Sequence, residues 1–293
     1  MYYNVSSIDC REGTVQVTRP AVDDDSSSTY YNLAYKLFRP KSLSSRKAAP
    51  IVVLHGGPSV PSDYLLPLAK VIPYRSILFY DQLGCGDSDE PDNGRVYSID
   101  GAVDDLEIIL RKLGVRRFHL YGQSFGGILA FEYLKRVAER DEENAHDEGC
   151  LSFILSSTPC SVPQVEQEAD RLLANLADPT LFRETHQCRT PDMPPPLATA
   201  YAKAGTTWRG TAAISNYTAT ALSSHAARLP SGMLLCGEYD FVTAACIAPW
   251  KETLLSPCRS VRIKQLEGCS HHGLLENPVV YGDLVDSFFT EYD

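Results

Sequence analysis

The chain has 293 residues, 44% of them hydrophobic and 22% charged, which is enough for one large globular domain with an insertion. The net charge of −10 argues against a general nucleic-acid-binding protein, because such proteins present a basic surface to phosphates. Nine cysteines, an odd number without C-x-x-C pairs, argue against a disulfide scaffold and favour reduced thiols.

Apolar runs predict the strands in the first part of the chain. They are residues 14–18, 30–38, 51–54 and 76–80. The polar stretch 23–28 is expected to be a solvated turn between the first two strands. Ser98 is a helix N-cap candidate, and the apolar residues that follow it keep helical spacing until Gly114 ends the helix.

The later strands alternate with helical patterns. The predicted strands are 118–121, 151–156, 233–236 and 261–266. A charged loop is expected at 139–149 and an amphipathic helix at 277–289. This alternation implies a mostly parallel sheet with helices on both faces. Residues 159–229 break the alternation, so we predict a small helical cap inserted into a core formed by residues 1–158 and 230–293.

One short motif indicates a reaction type. Gly122-Gln123-Ser124-Phe125-Gly126 lies between a predicted strand and a predicted helix, and this G-x-S-x-G context is typical of the nucleophile elbow of an α/β-hydrolase. The turn would hold Ser124 in a strained conformation with its hydroxyl exposed. Gly122 and Gly126 are expected where a side chain would collide with the neighbouring strand or helix.

A serine nucleophile needs a base, and the base needs an orienting acid. Asp240 follows the strand 233–236, and the loop after the last strand carries His271 and His272. The order Ser, Asp, His is that of the α/β-hydrolases. Asp240 could instead be an ordinary turn residue, and the histidine an ordinary loop residue. Adjacent histidines point in different directions and rarely bind one metal, so no metal site is predicted.

The stretch after strand 51–54 is the candidate oxyanion loop. In an α/β-hydrolase fold its backbone N–H groups face the nucleophile, so we assign the oxyanion hole to the N–H groups of Gly57 and Phe125. A glycine turn without a catalytic role is the alternative. The residues predicted to support the loop are His55, Gly56, Pro58 and Gln123. The loop 81–88 lacks the third glycine of a dinucleotide fingerprint and is expected to buttress the oxyanion strand.

Four motifs occur in a fixed order along the chain. They are His55-Gly56-Gly57-Pro58, DQLGCGDS at 81–88, GQSFGG at 122–127 and GCSH at 268–271. Together they resemble the proline iminopeptidase family of serine hydrolases, the S33 peptidases, including the tricorn-interacting aminopeptidase and amino-acid amidases. The resemblance covers nearly the whole chain. It implies release of N-terminal residues through an acyl-enzyme without a cofactor, and its last motif selects His271 over His272.

The chain departs from that family at several positions. Ser59 stands where the family often has glycine, and Phe241 stands where a carboxylate that holds the substrate's free ammonium often follows the catalytic aspartate. A second family carboxylate, in a G-P-x-E-F segment, is not found between residues 208 and 228. An unpaired ammonium is costly in an apolar pocket. The carboxylates that could hold the ammonium instead are Glu166, Glu168, Glu184 and Asp192, and Phe241 is a further candidate for substrate binding. The alternative for each carboxylate is a solvated position on the surface of the cap.

These features predict a serine hydrolase that cleaves an amide or ester of a small substrate through an acyl-Ser124 intermediate. His271 would act as base and then as acid, and Asp240 would orient it. The substrate would be a small molecule, as in a tailoring step of metabolite biosynthesis, or a short peptide cleaved by a proline-type aminopeptidase. Acyl transfer to an alcohol or amine is a further alternative, as is a non-catalytic ligand-binding protein on the same fold.

The expected location is cytoplasmic, without a membrane or nucleic-acid partner. The first ten residues are polar and lack the apolar core of a signal peptide. No apolar run approaches the about 20 residues that span a bilayer.

Overall fold

A single sheet of eight strands runs through the residues that the computed structural model describes, which are 8–21, 24–41, 48–140 and 149–293. The strands are β1 (Ile8–Ala21), β2 (Asp24–Pro40), β3 (Ile51–Leu54), β4 (Ile77–Tyr80), β5 (Arg117–Gln123), β6 (Gly149–Ser156), β7 (Ser231–Gly237) and β8 (Val261–Leu266). Their order in the sheet is β1-β2-β4-β3-β5-β6-β7-β8. β2 pairs antiparallel with β1 and β4, and the other neighbours pair in parallel. The predicted, mostly parallel sheet is therefore confirmed.

Helices accompany the strands along the described chain. The α-helices are α1 (Leu68–Val71), α2 (Ile99–Leu113), α3 (Phe125–Arg140), α4 (Val162–Ala174), α5 (Pro195–Ala202), α6 (Ala244–Pro249), α7 (Gly273–Glu276) and α8 (Pro278–Thr290). The short 3-10 turns are Ser62–Leu65, Gly94–Val96, Pro179–Leu181 and Thr211–Ile214, and the π-turns are Arg183–Gln187 and Trp250–Leu254. In this part of the chain, no helix combines the length and the apolar character needed to cross a bilayer.

The sheet separates two hydrophobic cores. Successive side chains of a strand point to opposite faces, so the buried strand β3 contributes to both cores. Val52 and Leu54 pack with residues of α2 and α3, whereas Ile51 and Val53 pack with residues of α1 and α8. Burial on both faces explains why β3 is a continuous apolar run.

Most element boundaries agree with the sequence predictions. Strand β8 has the predicted bounds. The side chain of Ser98 accepts a hydrogen bond from the Gly101 N–H (2.9 Å) at the start of α2, and Gly114 ends that helix with φ 66°. The Asn277 side chain accepts from the Val280 N–H at the start of α8.

Two predicted loops differ from the structure. Asp24–Ser28, expected in a turn, belong to β2, which pairs Ser28 with Pro20 and, after a shift in register, Asp24 with Ala21. Backbone pairing of this kind does not require apolar side chains. Asp23 lies outside the described residues. The predicted charged loop 139–149 is also shorter at both ends, since α3 includes Arg140 and β6 begins at Gly149; the residues between them lie outside the described chain.

The segment 159–229 lies between β6 and β7 and contains α4, α5 and several short helical turns. It contacts loops that follow parallel strands. The Gly86 N–H, after β4, donates to the Lys203 carbonyl (3.0 Å), and the Gly205 N–H donates to the carbonyl of Ser59, after β3 (3.0 Å). The segment therefore lies over the carboxyl edge of the sheet, where ligand sites of such sheets form.

All nine cysteines lie among the described residues, and none of them forms a disulfide. Eight are buried or half-buried, and only Cys10 is exposed. The cores are therefore held together by packing rather than by covalent cross-links.

Candidate active site

Ser124 lies in the tight turn between β5 and α3. Its φ of 53° places it in the left-handed region, which non-glycine residues adopt at a cost. The turn is held by the Ser124 N–H, which donates to the Ser156 carbonyl of the adjacent strand β6 (2.8 Å). The side chain is half-buried. The serine therefore stands at the carboxyl end of the central strand, in the strained conformation that the motif predicts.

The flanking glycines allow β3, β5 and α3 to approach closely. A Cβ atom on Gly122 would lie 2.3 Å from the Gly126 carbonyl oxygen, and one on Gly126 would lie 2.1 Å from the Leu54 carbonyl oxygen. Both distances are below van der Waals contact, and both neighbours are backbone atoms. The predicted reason for these two glycines is therefore confirmed.

We expect Gly126→Ala to destabilise the protein by about 2–4 kcal/mol, because the added methyl group must displace the backbone of β3. Gly94→Ala is the matched control, since a Cβ there meets nothing within 4 Å. Thermal unfolding of both variants measures the effect. An unchanged melting temperature in Gly126→Ala would contradict the tight approach of β3 to α3.

A histidine and an aspartate meet at the carboxyl ends of the neighbouring strands β7 and β8. His271 Nδ1 donates to Asp240 Oδ1 at 2.8 Å, and both side chains are buried. Oδ1 also accepts from the Val242 N–H (2.8 Å), whereas the buried Oδ2 has no hydrogen-bond partner among the described residues. A proton on Nδ1 leaves the lone pair of Nε2 available to act as a base.

Ser124 and His271 line one cavity of about 220 Å³. Its wall consists of Gly57, Pro58, Val60, Tyr64, Gln123, Ser124, Gln187, Tyr201, Arg209, Gly210, Phe241, His271 and His272. The Phe241 ring lies against the imidazole of His271, with 4.2 Å between the ring centroids. The structure does not bring Glu166 or Glu184 to this wall: both are exposed, and Glu184 pairs with its neighbour Arg183 (2.7 Å).

Glu168 and Asp192, the other two candidate carboxylates, also lie away from the cavity wall. Glu168 accepts hydrogen bonds from Arg171 and from the Thr243 hydroxyl (2.8 Å each). The hydrogen bond from Arg171 lowers the pKa of Glu168 to about 2. Asp192 is exposed. Among the residues described, no carboxylate therefore reaches the cavity wall to meet a substrate ammonium.

The candidate oxyanion donors are Gly57, which lines the cavity with Ser124, and Phe125, which follows Ser124 in the chain. Gly57 lines the cavity with φ 122°, and a Cβ there would lie 2.5 Å from the Ser59 nitrogen, so the loop conformation requires glycine. Phe125 is the first residue of α3, and an N–H in the first turn of a helix has no acceptor within that helix. The positive end of the helix dipole adds to the preference for an anion at this position.

Tyr64 and Gln123 connect the candidate oxyanion loop, which follows β3, to the histidine loop, which follows β8 and carries His271 and His272. The Tyr64 hydroxyl accepts from the Gly56 N–H (2.7 Å) and donates to Gln123 Oε1 (2.6 Å). Gln123 Nε2 then donates to the carbonyl of His271 (3.2 Å). Burial raises the pKa of Tyr64 well above its usual value, so the hydroxyl keeps the proton that this chain requires.

His55 joins the loops that follow β3 and β4. Its Nε2 accepts from the Gln82 N–H (2.9 Å), so Nδ1 carries the proton and donates to the Gly56 carbonyl (2.9 Å). Burial lowers the pKa of His55, which favours this neutral form. Asp81 completes the junction, because its Oδ1 accepts from the Ser62 N–H (2.9 Å). The loop 81–88 thus contacts the loop that follows β3, in agreement with the structural role predicted for it.

His272 differs from His271 in its surroundings. Its ring stands nearly perpendicular to that of His271 (80°) and packs edge-on against Tyr64. Burial, and then the nearby His271, lower the pKa of His272 well below its usual value. Of the two histidines, His271 is the one that binds Asp240. In the described part of the chain, no three His, Cys, Asp or Glu side chains cluster as metal ligands.

Comparison with known proteins identifies the family. The model of the alpha/beta hydrolase family matches residues 51–284, about four-fifths of the chain. The chain belongs to this family. The proline iminopeptidase of Saccharolobus solfataricus is 38% identical over 149 residues, which are 50% of this chain and 44% of that protein. That of Lactobacillus acidophilus is 37% identical over 149 residues, 50% of this chain and 47% of that protein.

The alignments thus cover half of this α/β hydrolase and less than half of each relative. The crystal structure of the proline iminopeptidase of Mycobacterium smegmatis superposes with a TM-score of 0.76 at 21% identity, covering 96% of this chain and 98% of that one. The predicted fold and the predicted resemblance to proline iminopeptidases are both confirmed.

The inserted segment of this α/β hydrolase supplies cavity residues that the sequence analysis did not identify. Gln187, Tyr201 and Arg209 lie on a π-turn, on α5 and on the irregular stretch after it. Gln187 Nε2 donates to the Tyr201 hydroxyl (2.6 Å), and burial raises the pKa of Tyr201 to about 12. These residues share no motif or periodicity, so no local sequence signal could have marked them.

The same segment holds the histidine loop in place. The N–H groups of His271 and His272 donate to the carbonyls of His186 (3.4 Å) and Gln187 (3.1 Å). His186 Nδ1 donates to the carbonyl of Tyr239 (2.8 Å), next to Asp240. The insert therefore contacts both loops that carry the histidine–aspartate pair.

Proposed function

We propose that this α/β hydrolase is a serine hydrolase that cleaves an amide or ester bond of a small substrate through an acyl-serine intermediate. The observation that supports it most directly is the 2.8 Å hydrogen bond between His271 and Asp240 in a site whose cavity also exposes Ser124. A serine that shares a cavity with an imidazole oriented by a carboxylate is the arrangement that activates a hydroxyl nucleophile.

In the proposed mechanism, Nε2 of His271 removes the proton of Ser124 as its oxygen attacks the substrate carbonyl. The N–H groups of Gly57 and Phe125 stabilise the resulting oxyanion. His271 then donates its proton to the leaving group, and the acyl-serine forms. Water attacks this ester in a second step that uses the same groups, and Asp240 stabilises the imidazolium formed in each step.

The division of the chain into a core (residues 1–158 and 230–293) and a cap (159–229) is part of this proposal. Three observations support it: the insert separates the paired strands β6 and β7 along the chain, it lies over the carboxyl edge, and it contributes Gln187, Tyr201 and Arg209 to the cavity. The cap would therefore determine the substrate. The unpaired cysteines support the further proposal of a cytoplasmic protein.

A proline-type aminopeptidase is the second candidate, and the named relatives support it. The cavity favours another small substrate, because none of the described residues in its wall carries a carboxylate to pair with a free ammonium. We therefore place hydrolysis of a small molecule first, for example in a tailoring step of metabolite biosynthesis.

The test compares three substrates: a free prolyl or alanyl arylamide, its N-acetylated twin and a simple aryl ester. We expect ester turnover without a preference for the free amine, and labelling of Ser124 by a fluorophosphonate, detected by mass spectrometry of the digested protein. A strong preference for the free amine would instead identify an aminopeptidase. Absence of both turnover and labelling would contradict the serine hydrolase proposal.

A further inference from the structure

The described residues of the cavity wall carry a positively charged side chain but no negatively charged one. Its described lining contains one guanidinium, that of Arg209, and no aspartate or glutamate. Arg209 is exposed, and no described residue forms a salt bridge or a hydrogen bond with its guanidinium. Because the described lining has no carboxylate that could neutralise this guanidinium, its positive charge is available to a ligand that enters the cavity.

The two residues that flank Arg209 in the chain, Trp208 and Gly210, both bind the candidate oxyanion loop. The Ser59 hydroxyl donates to the Trp208 carbonyl (2.5 Å), and the Gly210 N–H donates to the Pro58 carbonyl (3.2 Å). The Trp208 ring also packs edge-on against Phe125, with 5.4 Å between centroids. The segment that carries Arg209 is thus attached to the same loop that holds the candidate oxyanion donor.

Ser59 has a structural role in this attachment. It is buried, has a φ of 67°, and accepts a hydrogen bond from the Gly205 N–H (3.0 Å) in addition to donating to the insert. A glycine at this position, as often occurs in the family that the sequence resembles, would lack the donating hydroxyl. The serine at position 59, where the family often has glycine, therefore helps to hold the segment that carries Arg209.

We propose that the substrate of this site carries a carboxylate that Arg209 binds while Ser124 attacks the ester or amide carbonyl. This inference rests on the proposed function. The planar guanidinium donates two parallel hydrogen bonds to a carboxylate, and such charge-assisted pairs are stronger than neutral ones. A substrate ammonium would meet a like charge in the same cavity and find no counter-charge.

Two matched pairs of esters test the proposal by steady-state kinetics. One pair, 4-nitrophenyl hemiglutarate and 4-nitrophenyl valerate, places the carboxylate on the acyl side. The other, 3-acetoxybenzoate and phenyl acetate, places it on the leaving group. We expect a preference for the carboxylate in one pair. Arg209→Gln should lower kcat/KM for that ester by about 10- to 100-fold and leave its neutral twin nearly unchanged.

Two further variants make the result specific. Arg209→Lys keeps the charge but loses the planar fork, so it should retain part of the preference. Arg228→Gln removes an exposed arginine of the same insert that does not line the cavity, and it should leave both pairs unchanged. Equal losses for the charged and neutral esters in Arg209→Gln, or a preference for the neutral ester in both pairs, would overturn the inference.

A binding measurement separates this inference from the proposed reaction. Calorimetric titration with benzoate and with benzamide requires no turnover. We expect the wild-type protein to bind benzoate more tightly and Arg209→Gln to lose that difference, and equal binding of the two compounds to the wild-type protein would overturn the inference. Fluorophosphonate labelling of Ser124, measured on the same samples, reports on the proposed reaction independently.

Discussion

Replacing Ser124 with alanine is expected to lower kcat for the aryl ester by about four to six orders of magnitude. The reason is that the hydroxyl is the atom that forms the acyl intermediate, and no other hydroxyl in the cavity lies in an elbow at the N-terminus of a long helix. Stopped-flow and steady-state kinetics on the purified variant measure the loss. Fluorophosphonate labelling should disappear in parallel.

Ser157→Ala is the matched control for this variant. Ser157 also has a left-handed backbone (φ 49°) directly after a strand of the same sheet, but it does not line the cavity. The Ser157→Ala variant should therefore retain activity. It tests whether removing the hydroxyl of a serine with a left-handed backbone lowers activity in itself. Turnover in Ser124→Ala close to that of the wild-type protein would rule out the acyl-serine mechanism.

Asp240→Asn is expected to lower kcat by about three to four orders of magnitude with little change in thermal stability. The amide has nearly the shape of the carboxylate, so its oxygen can still accept from the Val242 N–H, which now binds Asp240 Oδ1 at 2.8 Å. The same oxygen can still accept from Nδ1 of His271, because both donors bind Asp240 Oδ1. The neutral amide, however, no longer supplies the negative charge that stabilises the imidazolium formed when His271 takes the proton of Ser124.

Melting curves and ester kinetics measured on the same preparations separate loss of chemistry from loss of fold. Asp283→Asn, an exposed position on α8, is the control for the removal of one negative charge. Nearly full activity in Asp240→Asn would mean that other contacts orient His271 sufficiently. The hydrogen bond from Gln123 to the His271 carbonyl would then be the candidate contact.

Much of the fold could be predicted because its signals are local. A continuous apolar run marked β3, since a strand buried on both faces has no polar side. Ser98 and Gly114 marked the ends of α2, because capping and left-handed termination depend on single residues. Polar stretches were less informative, as Asp24–Ser28 show, since backbone pairing of Asp24 and Ser28 with β1 keeps this stretch in the strand despite its turn-forming residues.

The sequence by itself determined the elbow, the candidate residues Ser124 and Asp240 and a histidine loop after β8, because each occupies a recognisable position beside a strand. The family resemblance then selected His271 over His272 as the candidate base. The tertiary structure alone decided what surrounds them. Contacts such as Tyr64 to Gln123 and Ser59 to Trp208 join segments 59 and 149 residues apart. Such pairs leave no periodicity or motif in a single sequence, because their proximity depends on how the loops of the sheet pack against one another and against the insert. The packing of the insert over the sheet places Arg209, rather than a carboxylate, at the cavity wall.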